Sequence, residues 1–303
     1  MDAKTLLVAA LIVIAAAFLA FWYADVRRKR SRQPAGAPAL TPEPLRMGIG
    51  FVANFLDTLG IGSYATTTSM LKMWKVIPDE KIPGTLNVGY ALPTVVQGVI
   101  FMTLVEVEFM TLISIIGAAV VGAYLGAGVV SGLPRRKIQI GMGTALLCAA
   151  TLMIFSLLGI GPEPGVALGL SGNKLAIAVG CSVVLGALMM LGIGFYAPCM
   201  IMISLLGMDP KVSYPIMMGA CAFLIPSGST QFVRKDRYDL KTAISFTLAG
   251  SVAVLLAAPL VDRIPLLYLR LLVLAVVLYT AVRMLQSAVV ERAAVGKPGM
   301  AQA

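Results

Sequence analysis

Apolar residues run along this chain in long uninterrupted stretches, and polar residues cluster in the short gaps between them. The first stretch covers 6–24; others cover 47–71, 83–104, 109–132, 138–159, 175–206, 214–232, 240–261 and 264–286. Most have the length, roughly 17–25 residues, at which a helix crosses ~30 Å of hydrocarbon. The pattern predicts an all-α polytopic membrane protein whose short gaps join antiparallel neighbours. Arg27, Arg28, Lys29, Arg30 and Arg32 follow the first stretch instead of preceding it. That order reads as a retained helix with its C-terminal end in the cytoplasm, not a cleaved signal peptide. The expected organisation is an N-terminal transmembrane helix at 1–24, then a basic, Pro-rich cytoplasmic linker at 25–46. Two transport repeats at 47–159 and 175–288 flank an extracytoplasmic connector at 160–174, and a polar tail occupies 289–303.

The repeats emerge when the sequence is slid against itself by 132 positions. Gly60-Ile61-Gly62-x-Tyr64-Ala65 then falls on Gly192-Ile193-Gly194-x-Tyr196-Ala197, and Pro78 and Pro83 fall on Pro210 and Pro215. If 47–71 and 175–206 both cross the membrane, the halves are parallel. If both are re-entrant hairpins broken at Gly-x-Gly, each half has three crossings and the halves are inverted. Only the second arrangement collects Lys72, Lys75, Lys81, the run at 135–137, Arg234, Lys235, Arg237 and Lys241 on one face. The Lys/Arg bias sets topology, so inverted repeats are the expectation. Gly60 and Gly62 weaken a helix where Ser63, Thr66, Thr67 and Thr68 can satisfy the freed backbone groups.

Composition agrees with the pattern and narrows the function. Hydrophobic residues make up 59% of the 303 positions and charged ones 13%, which excludes a soluble enzyme. The net charge of +10 resides in the gaps between apolar runs, the positive-inside pattern and not a nucleic-acid face. His is absent and the four Cys stand inside apolar runs without a CxxC pair, so no metal site, disulfide or cofactor is expected. No nucleotide-binding loop or nucleophile elbow appears, and the expected partners are the lipid bilayer and a small solute. Homo-oligomerisation stays open.

The Gly-rich first segment (Gly48, Gly50, Gly60-Ile61-Gly62), its counterpart Gly192-Ile193-Gly194-Phe195-Tyr196-Ala197-Pro198, and the spacing of Pro78, Pro83 and Pro134 resemble the TauE/SafE family of sulfite and organosulfonate exporters. The resemblance covers roughly 45–288, and a minimal member lacks the N-terminal helix. Ser63-Tyr64-Ala65-Thr66 stands where the family carries a denser glycine run before a proline. The resemblance implies secondary transport of a small anion, such as sulfite, a sulfonate or a related organic anion, across a bacterial cytoplasmic membrane. An anion channel and a membrane-embedded assembly factor or enzyme are the alternatives.

Paired Gly-interrupted segments in two halves point to a transporter's binding site. The expected substrate-binding residues are therefore Asn54, Gly60, Gly62, Ser63, Tyr64 and Thr67 in the first segment, with Gly192, Gly194, Tyr196 and Pro198 in the second. Asn87 and Gln97 lie ten residues apart on one helix, too far to share one small site but able to line one path. Pro226-Ser227-Gly228-Ser229-Thr230-Gln231 reads as a helix break, with Ser227, Ser229 and Gln231 as anion donors. Asp57 is the sharpest candidate, a carboxylate in an apolar run whose counterpart is Met189. A carboxylate shielded from water can take up a proton near neutral pH, which makes Asp57 a coupling-ion site; capping a half-helix explains the position as well. Arg270 is expected to snorkel, the 17 Met to have no ligand role, and the first helix to stand free of the repeats.

Overall fold

The computed structural model describes residues 3–31, 41–59, 61–104, 106–160, 165–192, 194–209, 212–260 and, with gaps, 271–289. Gly60, Ile193, Pro210, Arg270, most of the Pro-rich linker and the tail beyond 289 lie outside the described residues. The described residues form α1 (Ala3–Arg30), α2 (Pro44–Thr58), α3 (Ser63–Met73), α4 (Ile82–Leu104), α5 (Phe109–Val130), α6 (Arg135–Leu157), α7 (Gly172–Met189), α8 (Tyr196–Leu205), α9 (Ser213–Arg234) and α10 (Leu240–Ala257). Among them six helices are long and apolar enough to cross a membrane.

The two Gly-x-Gly stretches interrupt their segments as the glycines predict. α2 ends at Thr58 and α3 restarts at Ser63 after Gly62, whose φ of 92° L side chains rarely adopt. In the second half, Gly192 at φ 105° separates α7 from α8. The Thr66 and Thr67 hydroxyls donate to the Gly62 and Ser63 carbonyls, while the Thr68 hydroxyl is buried without a partner.

One end of the bundle is basic. There Arg46 of α2 bonds Asp239 before α10 at 2.6 Å, and Glu43 takes hydrogen bonds from Lys241 and Arg46 that hold its carboxyl below the usual carboxylate range. The Asp239 amide donates to the Thr85 hydroxyl at the start of α4. Lys72 near the end of α3 pairs with Asp79, which also accepts from Gln139 of α6. Both free ends of the α2–α3 hairpin therefore lie at this basic end. The α7–α8 segment opens at the other end. The Glu108 amide before α5 donates to the Leu168 carbonyl before α7, Leu170 N–H donates to Thr111 of α5, and Lys174 of α7 reaches the Leu206 carbonyl after α8.

Small residues set the close helix contacts. A Cβ added at Gly122 would stand 1.9 Å from the Val183 carbonyl oxygen, and one at Gly126 would stand 2.6 Å from the Ala187 Cα. The Gly122-x-x-x-Gly126 motif thus seats α5 on α7 within the chain.

Two expectations are overturned. The first helix does not stand free: Leu7, Leu11, Phe18 and Trp22 are buried, Leu11 packs near Gly98 of α4, and the Trp22 indole donates to the Tyr238 hydroxyl at 3.1 Å. Lys29 also reaches Asp236 at 2.7 Å, so hydrogen bonds and packing hold α1 where lipid offers no hydrophobic drive. It also runs beyond the expected boundary at 24, through Arg30, because the basic run continues the helix. Nor does Pro226 break a helix; it lies inside continuous α9, where Ser227 donates to the Phe223 carbonyl one turn back. Pro and Gly are tolerated in membrane helices when hydroxyls and neighbouring helices satisfy what they free.

Gly122→Leu should wedge α5 from α7 and lower the melting temperature in detergent, the overpacking cost being about 1–3 kcal/mol or more. Gly117→Leu on the same helix, where no atom lies within 4 Å of an added Cβ, should melt like the wild type.

Candidate functional site

The two interrupted segments face one small cavity. Asp57, Gly62, Ser63 and Tyr64 line it from the first; Met189, Gly194 and Phe195 line it from the second. α4 contributes Thr94 and Gln97, and α9 contributes Met217, Met218 and Cys221. Positions 132 apart line the same space: Asp57 and Met189, Gly62 and Gly194, Ser63 and Phe195.

Charge in the cavity comes from one side chain and two helix ends. Among the described residues, Asp57 is the only formally charged one in the lining, which holds no Lys or Arg. α3 begins at Ser63 and α8 at Tyr196, so both half-helices present their N-terminal turns, each roughly half a positive charge, toward the space. The α3 terminus already has a tenant. The Ser63 amide donates to Asp57 Oδ1 at 2.6 Å, so the carboxylate caps the half-helix across the break. Gln97 Nε2 donates to Asp57 Oδ2 and to the Thr58 hydroxyl oxygen, each at 3.0 Å, and Thr58 spends its own proton on the Asn54 carbonyl. Gln97 Oε1 is buried without a partner.

Around this centre the neutral polar groups form a rigid second layer. The Tyr64 hydroxyl donates to Asn87 Oδ1 at 2.9 Å, and Asn87 Nδ2 is fixed on the Pro83 carbonyl. Thr67 contacts the Tyr90 hydroxyl at 2.5 Å; the Tyr90 ring lies edge-on to Tyr64 and stacks on Phe246. Asn87 and Thr67 therefore hold the wall and do not line the cavity. Asn54 is equally buried, its amide donating to the Gly50 carbonyl.

Of the expected site residues, the cavity collects Asp57, Gly62, Ser63, Tyr64, Gln97 and Gly194. Gly192 lies behind it, against Met142, and Pro198 lies along α8. Ser227, Ser229 and Gln231 sit on α9 beyond the lining; the Ser229 hydroxyl is fully buried and unpartnered. Gly60 and the Tyr196 side chain lie outside what the structure describes. Thr94, Met217, Met218, Phe195 and Cys221 were not expected. Met189, Met217 and Met218 also border the space, and the Cys221 Sγ lies 3.9 Å from the Met189 Sδ. The cavity thus has a donor-rich side on α3 and α4 and a polarisable sulfur-rich side on α7 and α9.

A family profile described as sulfite exporter TauE/SafE matches residues 1–153. No curated protein and no solved structure matches the chain. The match takes in α1, the first hairpin, and Thr94 and Gln97 of α4, whereas the second Gly-x-Gly stretch lies beyond it. With half its length matched, its helices apolar enough to cross a bilayer and its first broken segment inside the match, the chain belongs to the TauE/SafE sulfite exporter family of multi-pass membrane transporters.

Proposed function

We propose that the protein is a secondary transporter moving a small anion (sulfite, a sulfonate or a related organic anion) across the bacterial cytoplasmic membrane, coupled to a proton at Asp57. The observation that carries this reading is the Asp57 carboxylate seated on the α3 N-terminus, inside a cavity that the α8 N-terminus also faces. A site that already stabilises one oxyanion through a backbone N–H and a side-chain amide has the chemistry to stabilise another. Two half-helix termini with Ser63, Tyr64 and Gln97 supply partial positive charge without a cation, which suits a small anion that has to leave again. An ionised Asp57 competes with that anion, whereas a protonated Asp57 vacates the charge. Proton and anion then enter together, and binding tightens as pH falls.

The same reading makes the halves inverted repeats related by an axis in the membrane plane, with the basic end cytoplasmic. Its support is the opening of α2–α3 at the basic end and of α7–α8 at the other. Paired broken segments entering from opposite sides are the usual substrate cradle of transporters that alternate access by moving one repeat against the other.

Three measurements test the proposal. With the exposed native thiols Cys148 and Cys181 replaced by Ser, single Cys residues at positions 75 and 234 should label from the cytoplasm alone and one at 174 from outside alone. Labelling of 75 and 234 from different sides would end the inverted arrangement. In proteoliposomes Asp57→Asn should bind sulfite while losing the pH dependence of transport; an unchanged pH profile would leave Asp57 a cap and nothing more. Ser63→Ala should weaken sulfite binding by about 1–3 kcal/mol at every pH, as expected for one lost donor.

A further inference from the structure

The anion reading leaves the sulfur-rich wall of the cavity without a task. Met189 of α7 and Met217, Met218 and Cys221 of α9 bring four sulfur-bearing side chains to the lining. The three methionines are buried, whereas Cys221 is half-buried. Met217 and Met218 stand four and three positions before Cys221, so these three share one face of α9. Met189 meets that face from the end of α7. In the 132-residue register Met189, Met217, Met218 and Cys221 fall on Asp57, Thr85, Leu86 and Gly89, none of which carries sulfur. The cluster is therefore no by-product of the duplication and belongs to the second half alone.

Its geometry suits a soft metal ion. The Cys221 thiol donates to the Met189 Sδ, with the two sulfurs 3.9 Å apart. A closed-shell ion binds sulfur at about 2.3 Å, so two sulfurs of a three-coordinate ion lie about 4 Å apart. An ion entering between them replaces the thiol proton and asks for little movement of either helix. Thiolate and thioether are the ligands that select Cu(I), whereas magnesium, calcium and manganese take oxygen. We propose that Cys221, Met189 and one or both of Met217 and Met218 form a binding site for a single Cu(I) ion on this wall. The inference goes beyond the anion reading and does not depend on it.

Charge balance favours a monovalent ion. On binding, a Cu–S bond forms as the Cys221 S–H bond breaks; the proton leaves to water and no electron moves. One Cu(I) and one thiolate sum to zero, and the thioethers add no charge, so the filled site carries no net charge into the low dielectric. A divalent ion at the same ligands would leave one positive charge uncompensated. Asp57 stands apart from this set, its Oδ1 taken by the Ser63 amide and its Oδ2 by Gln97. The chain has no His to draw the ion elsewhere. Cys148 and Cys181 are exposed and outside the lining, and Cys199 is buried on α8, also outside it.

The test is anaerobic titration of the purified full-length protein with Cu(I), kept reduced by ascorbate and competed against bathocuproine disulfonate. Cys148→Ser and Cys181→Ser in the parent remove the exposed thiols. One equivalent should bind. Cys221→Ala should weaken binding roughly a hundredfold or more, since it removes the one thiolate. Met189→Leu should weaken it at least tenfold or so, as should Met217→Leu and Met218→Leu made together; Met-to-Leu exchange conserves volume, so these variants keep the fold even if Cys221→Ala does not. Cys199→Ser should bind like the parent. X-ray absorption at the copper edge should show sulfur neighbours alone, at about 2.3 Å. A parent that takes no Cu(I) from the chelator would overturn the proposal. So would binding unchanged in both Cys221→Ala and Met189→Leu, binding lost in Cys199→Ser instead, or oxygen or nitrogen in the copper shell. No sulfite is present in any of these measurements, so their failure is separate from failure of the anion–proton reading.

Discussion

The hydrogen bond from the Ser63 amide to Asp57 Oδ1 carries the rest of the structure. A helix interrupted inside a bilayer frees backbone groups that no water will satisfy, and each such group costs several kcal/mol unless the protein answers it from within. Asp57 answers the first N–H of α3, and the Thr66 and Thr67 hydroxyls answer the carbonyls behind it. With the break closed in this way, the α2–α3 hairpin can turn back to the basic end, where the Lys72–Asp79 and Arg46–Asp239 pairs fasten its two ends. Remove the cap, and neither the turn nor the cavity beside it has a reason to exist.

Much of this was legible in the residue order, and the physical reasons are specific. Gly62 and Gly192 are readable because positive φ admits little else, and Asp57 because a charge in an apolar run is costly enough to demand an explanation. Gln97 apart, the contributions of α4 and α9 were not readable. Both helices are apolar nearly all round, so no periodicity distinguishes the face carrying Thr94, Met217, Met218 and Cys221 from the faces that pack or meet lipid. Pro226 misled because proline is a breaker in water but only a local adjustment inside α9. The first helix misled because linker composition describes tethering and says nothing of where Trp22 finds the Tyr238 hydroxyl.

On the proposed reading, the site holds an anion on a surface without a cation. Lys and Arg are plentiful in this chain, yet among the described residues none lines the cavity, which is left to helix termini, hydroxyls and an amide. Partial charges fixed in a packed scaffold need no reorganisation when a ligand arrives, and they release it more readily than a full countercharge would. The sulfur-rich wall opposite adds polarisable contact without adding charge.

Met189 standing where the first half has Asp57 has a consequence for energy balance. Two identical halves exchanging shapes would give end states of equal free energy, a degenerate pair with no preferred resting orientation. Here one half carries an acid, a serine and an amide where the other carries a thioether, a phenyl ring and a lone hydroxyl, as Asp57, Ser63 and Gln97 match Met189, Phe195 and Ser229. The degeneracy is broken by side chains alone, on a backbone that keeps its duplicated breaks. On the proposed inverted-repeat reading, the idle molecule rests on one side of its cycle, and the state of the Asp57 carboxyl group sets how far it leans.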